Sequence, residues 1–158
     1  MEIERKWLID REKLPYRLEE LKKKKIEQSY VSFSPVIRVR NINDGEKYVL
    51  TVKSSEAGLA REEFELPLTK EQYAFLFAKH EGTVIQKTRY LKEENGLMLE
   101  IDLFEGDLSG LSYLEIEFPD RESAEVYPTP GFAVADVSDR AEFANANLSR
   151  FGKPQETF

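Results

Sequence analysis

The chain has 158 residues, a formal net charge of −7 and an isoelectric point near 5.0; 34% of its residues are charged and 41% hydrophobic. That length suits one domain, 1–158, with a real core, and is too short for two of ordinary size. With no cysteine, disulfides, thiolate nucleophiles and zinc–thiolate sites are excluded. The acidic balance argues against broad attraction to nucleic acid or anionic membrane, and no run approaches the roughly 20 apolar residues of a membrane helix. With a charged start and no apolar signal core, the expectation is a cytoplasmic protein with neither nucleic-acid nor membrane partner.

A first strand is predicted over residues 2–9. Alternation puts Glu2, Glu4 and Lys6 on one face, against Ile3, Arg5 and Trp7 on the other; neighbours on a face stand roughly 6 to 7 Å apart. Two carboxylates at that spacing repel when ionised and want a cation between them, and the lysine in the row suits an anion bridging to it. A solvated polar face is the competing reading. After Pro15, Leu14, Leu18 and Leu21 recur at helical spacing and predict a short surface helix over 16–25, with the lysines at 22–25 complementing its C-terminal dipole.

Alternation resumes over 26–33, with Gln28, Tyr30 and Ser32 sharing a side, and again over 36–42, where Arg38 and Arg40 do. Asn43-Asp44-Gly45 supplies a turn into a fourth strand over 46–54, which carries Lys47, Val49, Thr51 and Lys53 together. A loop around Ala57-Gly58 leads to a fifth strand over 60–68 with Arg61, Glu63 and Glu65 on one side. Thr69-Lys70-Glu71-Gln72 reads as a capping box opening a helix to about His80. His80, the sole histidine, sits at that helix end and reads as a surface residue.

A sixth strand over 83–93 groups Lys87, Arg89 and Leu91, and Asn95-Gly96 turns it into a seventh over 97–104, where Glu100 and Asp102 share a face. After a glycine-bearing loop, an eighth over 112–118 sets Glu115 and Glu117 against Leu114, Ile116 and Phe118. Asp120 caps a short helix before Pro128 and Pro130 break the pattern. Asp139-Arg140-Ala141-Glu142 reads as the cap of a last helix running to about residue 151, ended by Gly152 and Pro154.

Eight consecutive strands joined by short turns predict an α+β, mainly β fold: an eight-stranded antiparallel closed β-barrel with a few surface helices. In an open sheet the apolar faces would form the core and the charged faces would be solvent decoration. The charged rows, however, use arginine and lysine on some strands and paired carboxylates on others, as a charged barrel interior would require. Buried ions must compensate one another. Arginine forks and lysines converging on one space suit a compact polyanion, and carboxylates with no usable His or Cys set suit Mg2+ or Mn2+. The chemistry indicated is metal-assisted hydrolysis or transfer at a polyphosphate.

Glu2-Ile3-Glu4-Arg5-Lys6 resembles the ExExK signature of the CYTH superfamily, the triphosphate tunnel metalloenzymes. The resemblance continues through Ile37-Arg38-Val39-Arg40, Leu50-Thr51-Val52-Lys53, Arg61-Glu62-Glu63-Phe64-Glu65, Lys87-Thr88-Arg89-Tyr90, Leu99-Glu100-Ile101-Asp102 and Leu114-Glu115-Ile116-Glu117, and is closest to the short bacterial members that hydrolyse inorganic triphosphate. It implies metal coordination by Glu2, Glu4, Glu115 and Glu117, with Glu63, Glu65 and Asp102 as further ligands or as holders of basic side chains. Lys6, Arg38, Arg40, Lys53, Arg61, Lys87 and Arg89 would grip the substrate, and Glu2, Glu4, Lys87 and Tyr30 would serve the chemistry, Tyr30 by assisting proton movement. The stretch from Asp136-Val137-Ser138 to Leu148 is similar to the family's closing segment, departing from it at Asp136, Ser138 and Phe143, and implies a C-terminal helix closing one tunnel end. Thiamine-triphosphatase, class IV-type adenylate cyclase and a polyphosphate- or nucleotide-binding module without turnover are the alternatives; monomer and homodimer are both open.

Overall fold

A computed structural model describes residues 2–54 and 60–154, with the backbone alone at 60 and 61. The loop expected around Ala57-Gly58 and the Arg61 side chain lie outside the described residues. The strands are β1 (Glu2–Ile9), β2 (Lys22–Phe33), β3 (Val36–Ile42), β4 (Lys47–Lys53), β5 (Ala60–Arg61), β6 (Glu63–Leu68), β7 (Glu81–Glu94), β8 (Leu97–Phe104), β9 (Ser112–Glu117) and β10 (Ala133–Asp136). The helices are α1 (Lys70–Phe77), α2 (Arg121–Val126) and α3 (Asn145–Phe151).

The sheet runs β10-β1-β9-β8-β7-β2-β3-β4-β6, every neighbour antiparallel. This corrects the expected eight-stranded closed barrel: among the described residues the path holds nine strands and its hydrogen bonds do not close it. β6 pairs β4 and not β1. The predicted strand over 60–68 is interrupted at Glu62, and only its two-residue start, β5, reaches β1, at Glu2↔Arg61 and Ile3↔Ala60. A seam of two residues brings the sheet ends together without the continuous ladder that closure requires. The ninth strand, β10, is four residues in the proline-flanked stretch, too short for alternation to announce, and it pairs with the far edge of β1.

Two further expectations are corrected. No α-helix forms over 16–25. Leu18–Glu20 makes a single 3-10 turn, and the lysines at 22–25 begin β2, paired with Leu91 to Thr88 of β7. Leu14, Leu18 and Leu21 still pack on the core, as their spacing implied, but the ladder with β7 takes the backbone hydrogen bonds a helix would have used. The last helix is also shorter than predicted. Ala141–Phe143 forms a 3-10 turn, α3 starts at Asn145, and Ala144 rather than Asp139 occupies its N-cap. The capping box of Thr69 with Gln72 and the cap from Asp120 to the Ser123 amide are both present. Asn43, Asp44 and Asn95 take positive φ in the two predicted turns.

One apolar cluster lies on the outer face of β1, β8 and β9, where Trp7, Leu99, Ile101, Leu114 and Ile116 meet Ala124 of α2 and Phe132. Each such side chain, fully buried, contributes about 1.5–3 kcal/mol. The second fills one end of the sheet's concave side, where Tyr30, Val36, Ile85, Phe104 and Tyr113 meet Phe143, Ala146 and Leu148. α3 contributes Ala146 and Leu148 to that cluster. Gly82 permits its approach, since a Cβ there would stand 2.7 Å from the Ser149 carbonyl oxygen, and the Ser149 hydroxyl donates to the Thr83 carbonyl at 2.6 Å.

Candidate active site

With the apolar faces turned outward, the charged rows face a polar cavity of about 150 Å3. β1 contributes Glu2, Glu4 and Lys6; β3, Arg38 and Arg40; β4, Lys53; β6, Glu63 and Glu65. β7 contributes Arg89, β8 Glu100, and β9 Glu115 and Glu117, with Asn145 entering from α3. The strand register produces this convergence. Lys6 faces Glu115 across β1 and β9, Glu4 faces Glu117, Glu100 faces Glu115 across β8 and β9, and Lys53 faces Glu63 across β4 and β6.

The ions compensate one another as burial demands. Lys53 Nζ lies 3.2 Å from Glu2 Oε1 and 3.7 Å from Glu63 Oε2. Lys6 Nζ lies 3.4 Å from Glu115 Oε1 and donates to the Phe143 carbonyl. The Arg89 guanidinium forks onto Asp102 at 2.7 and 2.9 Å and also reaches Glu100 at 3.0 Å and Glu115 at 3.3 Å. Arg38 donates to the Thr51 hydroxyl at 3.2 Å, and Arg40 donates to the Gln28 carbonyl oxygen, whose amide nitrogen donates in turn to the Tyr30 hydroxyl.

Three predicted site residues stand behind this lining. Asp102 is fully buried between Arg89 and Lys87, with its Oδ2 2.7 Å from Lys87 Nζ, so it holds cations rather than facing the cavity. Lys87 is equally buried, beside the Phe104 ring. Tyr30 packs in the second apolar cluster and reaches the site through Gln28. Of Arg61 the backbone pairing with Glu2 is described. Trp7 is buried on the outer face, under Arg5 and beside Tyr127, away from the cavity. His80 contacts Phe77 at the end of α1 and takes no part in the site.

Two lining residues were absent from the predicted ligand set. Glu100 was legible, since alternation puts it on the charged face with Asp102, one step nearer the open end. Asn145 gave no signal, because its place depends on where α3 docks.

Burial and charge shift several ionisations. Burial draws the Lys87 ammonium down to about 8, against the opposing pull of Asp102. Burial likewise pushes the Glu100 carboxyl up to about 7, helped by Glu115, Asp102 and Glu4 and opposed by Arg89. Burial would also raise Asp102 and Glu115, but the adjacent cations outweigh it. Arg89 and Lys87 hold Asp102 below its ordinary value, and Lys6 and Arg89 hold Glu115 well below its own.

A family model for the CYTH domain matches residues 1–127. This chain belongs to the CYTH family. The CYTH protein is 32% identical over 150 residues to an inorganic triphosphatase of Nitrosomonas europaea, covering 94% of this chain and 96% of the relative. An inorganic triphosphatase of Acetivibrio thermocellus is 35% identical over 124 residues, 77% of each chain. The crystal structure of the inorganic triphosphatase NE1496 matches the CYTH protein with a TM-score of 0.67 at 29% identity over 94% of each chain.

The cavity also permits a test of metal fit. Seven carboxylates and five cationic side chains line it, an acidic excess that favours a bound cation. All the acidic donors are hard oxygens, with no His or Cys, which fits Mg2+ or Mn2+. Among the described residues no three acidic or histidine side chains converge into a ready cage.

Proposed function

We propose that this CYTH protein hydrolyses inorganic triphosphate to pyrophosphate and phosphate with Mg2+ or Mn2+, using 1–158 as one catalytic unit. The observation that carries this reading is the convergence of five cationic side chains and an acidic excess on one small cavity. The triphosphatase relatives support it independently.

Arg38, Arg40, Lys53, Lys6 and Arg89 bind the phosphate oxygens, the arginines by paired donors and the lysines as point charges; Arg61 joins them from β5. Their ion pairs with Glu2, Glu63 and Glu115 exchange for pairs with phosphate as the polyanion enters. Glu2, Glu4, Glu115 and Glu117 are the carboxylates that would hold the ion. When bound, it supplies charge neutralisation on the phosphate oxygens and lowers the pKa of water. Glu65 and Glu63 steady the basic side chains of the β4 side, and Asp102 fixes Arg89 and Lys87. Lys87, held as an ammonium against Asp102 behind the lining, adds positive charge behind the phosphate site, and a lining carboxylate takes up the proton of the water that attacks the terminal phosphorus. Tyr30 acts through Gln28, which also orients Arg40.

Thiamine triphosphate and ATP each need a surface for their organic end. Among the described residues no aromatic ring lines the cavity, and Trp7 is committed elsewhere. That favours inorganic triphosphate over the thiamine and cyclase readings.

The test is a substrate panel of triphosphate, thiamine triphosphate, ATP and pyrophosphate with Mg2+ or Mn2+. Phosphate release is expected fastest from triphosphate. Glu4→Gln should abolish turnover while triphosphate still binds, which separates an enzyme from a binding module. Cyclic AMP from ATP, or unchanged hydrolysis in Glu4→Gln, overturns the assignment.

A further inference from the structure

Lys22, Lys23, Lys24 and Lys25 open β2, and all four are exposed. The helix dipole their position suggested is not there, since the residues before them form a single 3-10 turn. Lysine is disfavoured in strands, and like charges two residues apart share a face at roughly 6 to 7 Å. Alternation splits the run in two. Lys24 pairs with Arg89 and Lys22 with Leu91, so both share the face on which Arg89 lines the cavity; Lys23 and Lys25 pair with Tyr90 and Thr88 and turn to the outer face. Asp44 holds Lys25 there at 3.6 Å. Among the described residues no ion pair holds Lys22 or Lys24. On the cavity-side face β2 runs from Tyr30, in the second apolar cluster, through Gln28 and Ile26 to Lys24 and Lys22. The two lysines therefore stand at the end of the sheet remote from that cluster, just outside the lining.

A polyanion approaching this protein meets an adverse field. The chain carries a net charge of −7, and carboxylates outnumber cations in the cavity lining. Such a field lowers the local concentration of a like-charged substrate, and a patch of the opposite sign beside the cleft restores it. We propose that Lys22 and Lys24 form an outer phosphate-binding subsite that captures triphosphate beside the cavity and hands it to Arg89, the next cation on the same face. This rests on the triphosphatase reading and adds to it the route by which the substrate enters. Exposed ammonium groups on flexible stems act as point charges, so the subsite draws the polyanion in without fixing its geometry for the reaction. Its loss weakens capture and leaves the chemical step alone. A blander role exists for the run, because β3 ends at Ile42 opposite Ile26 and leaves the edge of β2 over residues 22–24 open, where lysines deter pairing with another chain. Edge protection is served by lysines on either face, whereas capture needs the cavity-side pair.

The experiment compares two double variants of the full chain that remove the same charge from opposite faces, Lys22→Gln with Lys24→Gln and Lys23→Gln with Lys25→Gln. Phosphate release from triphosphate with Mg2+, triphosphate binding by calorimetry and the melting temperature are measured at low salt and at 1 M salt, where the screening length is about 3 Å. All four side chains are exposed, so both variants should melt close to wild type. At low salt the cavity-side variant should raise KM and the dissociation constant at least fivefold, with kcat within about twofold, and the difference should shrink to within about twofold at 1 M salt. The outer-face variant should keep KM and the dissociation constant within about twofold throughout. Lys24→Gln alone should show part of the cavity-side effect.

Equal effects from the two double variants, or none from the cavity-side pair, overturn the inference and leave the triphosphatase reading standing. So does a fall in kcat at unchanged KM, or a KM effect that persists at 1 M salt. If wild type binds triphosphate but releases no phosphate with either ion, the activity reading fails alone, and the dissociation constants still decide the subsite. If wild type does not bind triphosphate, both fail.

Discussion

Lys87 Nζ lies 2.7 Å from Asp102 Oδ2, with both side chains wholly excluded from solvent, and the same carboxylate accepts the fork of Arg89. One buried anion of β8 therefore organises two cations of the neighbouring strand β7, with Arg89 facing the cavity and Lys87 behind it. Removing one partner of such a set leaves uncompensated charge in the interior, which typically costs about 3–5 kcal/mol. Asp102→Asn should destabilise the protein by that order, measured as a fall in the urea midpoint at unchanged m-value. A loss under about 1 kcal/mol would mean that solvent reaches the pair.

Lys87 also gives a signed pH dependence. Its folded pKa of about 8 lies below the ordinary 10.5 because burial penalises the ammonium. Between those values the unfolded chain binds more protons, so stability rises with pH there; below pH 8 both states carry the proton and the full penalty remains. The stability of wild type relative to Lys87→Met should be flat below pH 8 and increase toward pH 10.5, by about 3 kcal/mol at most. Urea titrations of both proteins from pH 6 to 10.5 measure the difference, and a constant difference throughout contradicts the assignment.

Arg40 illustrates how the grip differs from the scaffold. Its Nε is held by Gln28 at 2.8 Å, and its side chain lines the cavity. Arg40→Ala should raise the KM for triphosphate at least tenfold, and Arg40→Lys should recover only part of the loss, because a point charge replaces a planar fork. Steady-state kinetics on the two variants decide it; an unchanged KM in Arg40→Ala would remove Arg40 from the substrate contacts.

Arg5 should behave oppositely, although it lies in the same hexapeptide as Glu4 and Lys6. It turns to the outer face, donates to the carbonyls of Ala124 at 2.9 Å and Tyr127 at 2.6 Å, pairs with Asp136, and covers the Trp7 ring at 4.5 Å. Arg5→Met leaves two carbonyls without their donor and should cost about 2–4 kcal/mol. Its kcat and KM should stay within twofold of wild type at 25 °C. A selective loss of turnover without loss of stability would place Arg5 in the site.

Strand alternation made most of the cavity legible before any coordinates, because a period of two sends Glu2, Glu4 and Lys6, Arg38 and Arg40, and Glu115 and Glu117 to single faces whatever the strands do afterward. It also assigned Trp7 and Arg5 to the other side. The turn residues Asn43, Asp44 and Asn95 and the Thr69 capping box were equally readable, since their chemistry is local. Which residues of a row meet the cavity depends on register and stagger between strands, which no local pattern records. Glu100 therefore lines the cavity, while Asp102, two residues along the same face, is locked behind it by Lys87. The break at Glu62 that leaves the sheet unclosed, the pairing of β10 with β1, and the docking of α3 that carries Asn145 to the cavity are all contacts between distant segments. Only the folded chain decides them, because their energy comes from partners that are remote in sequence.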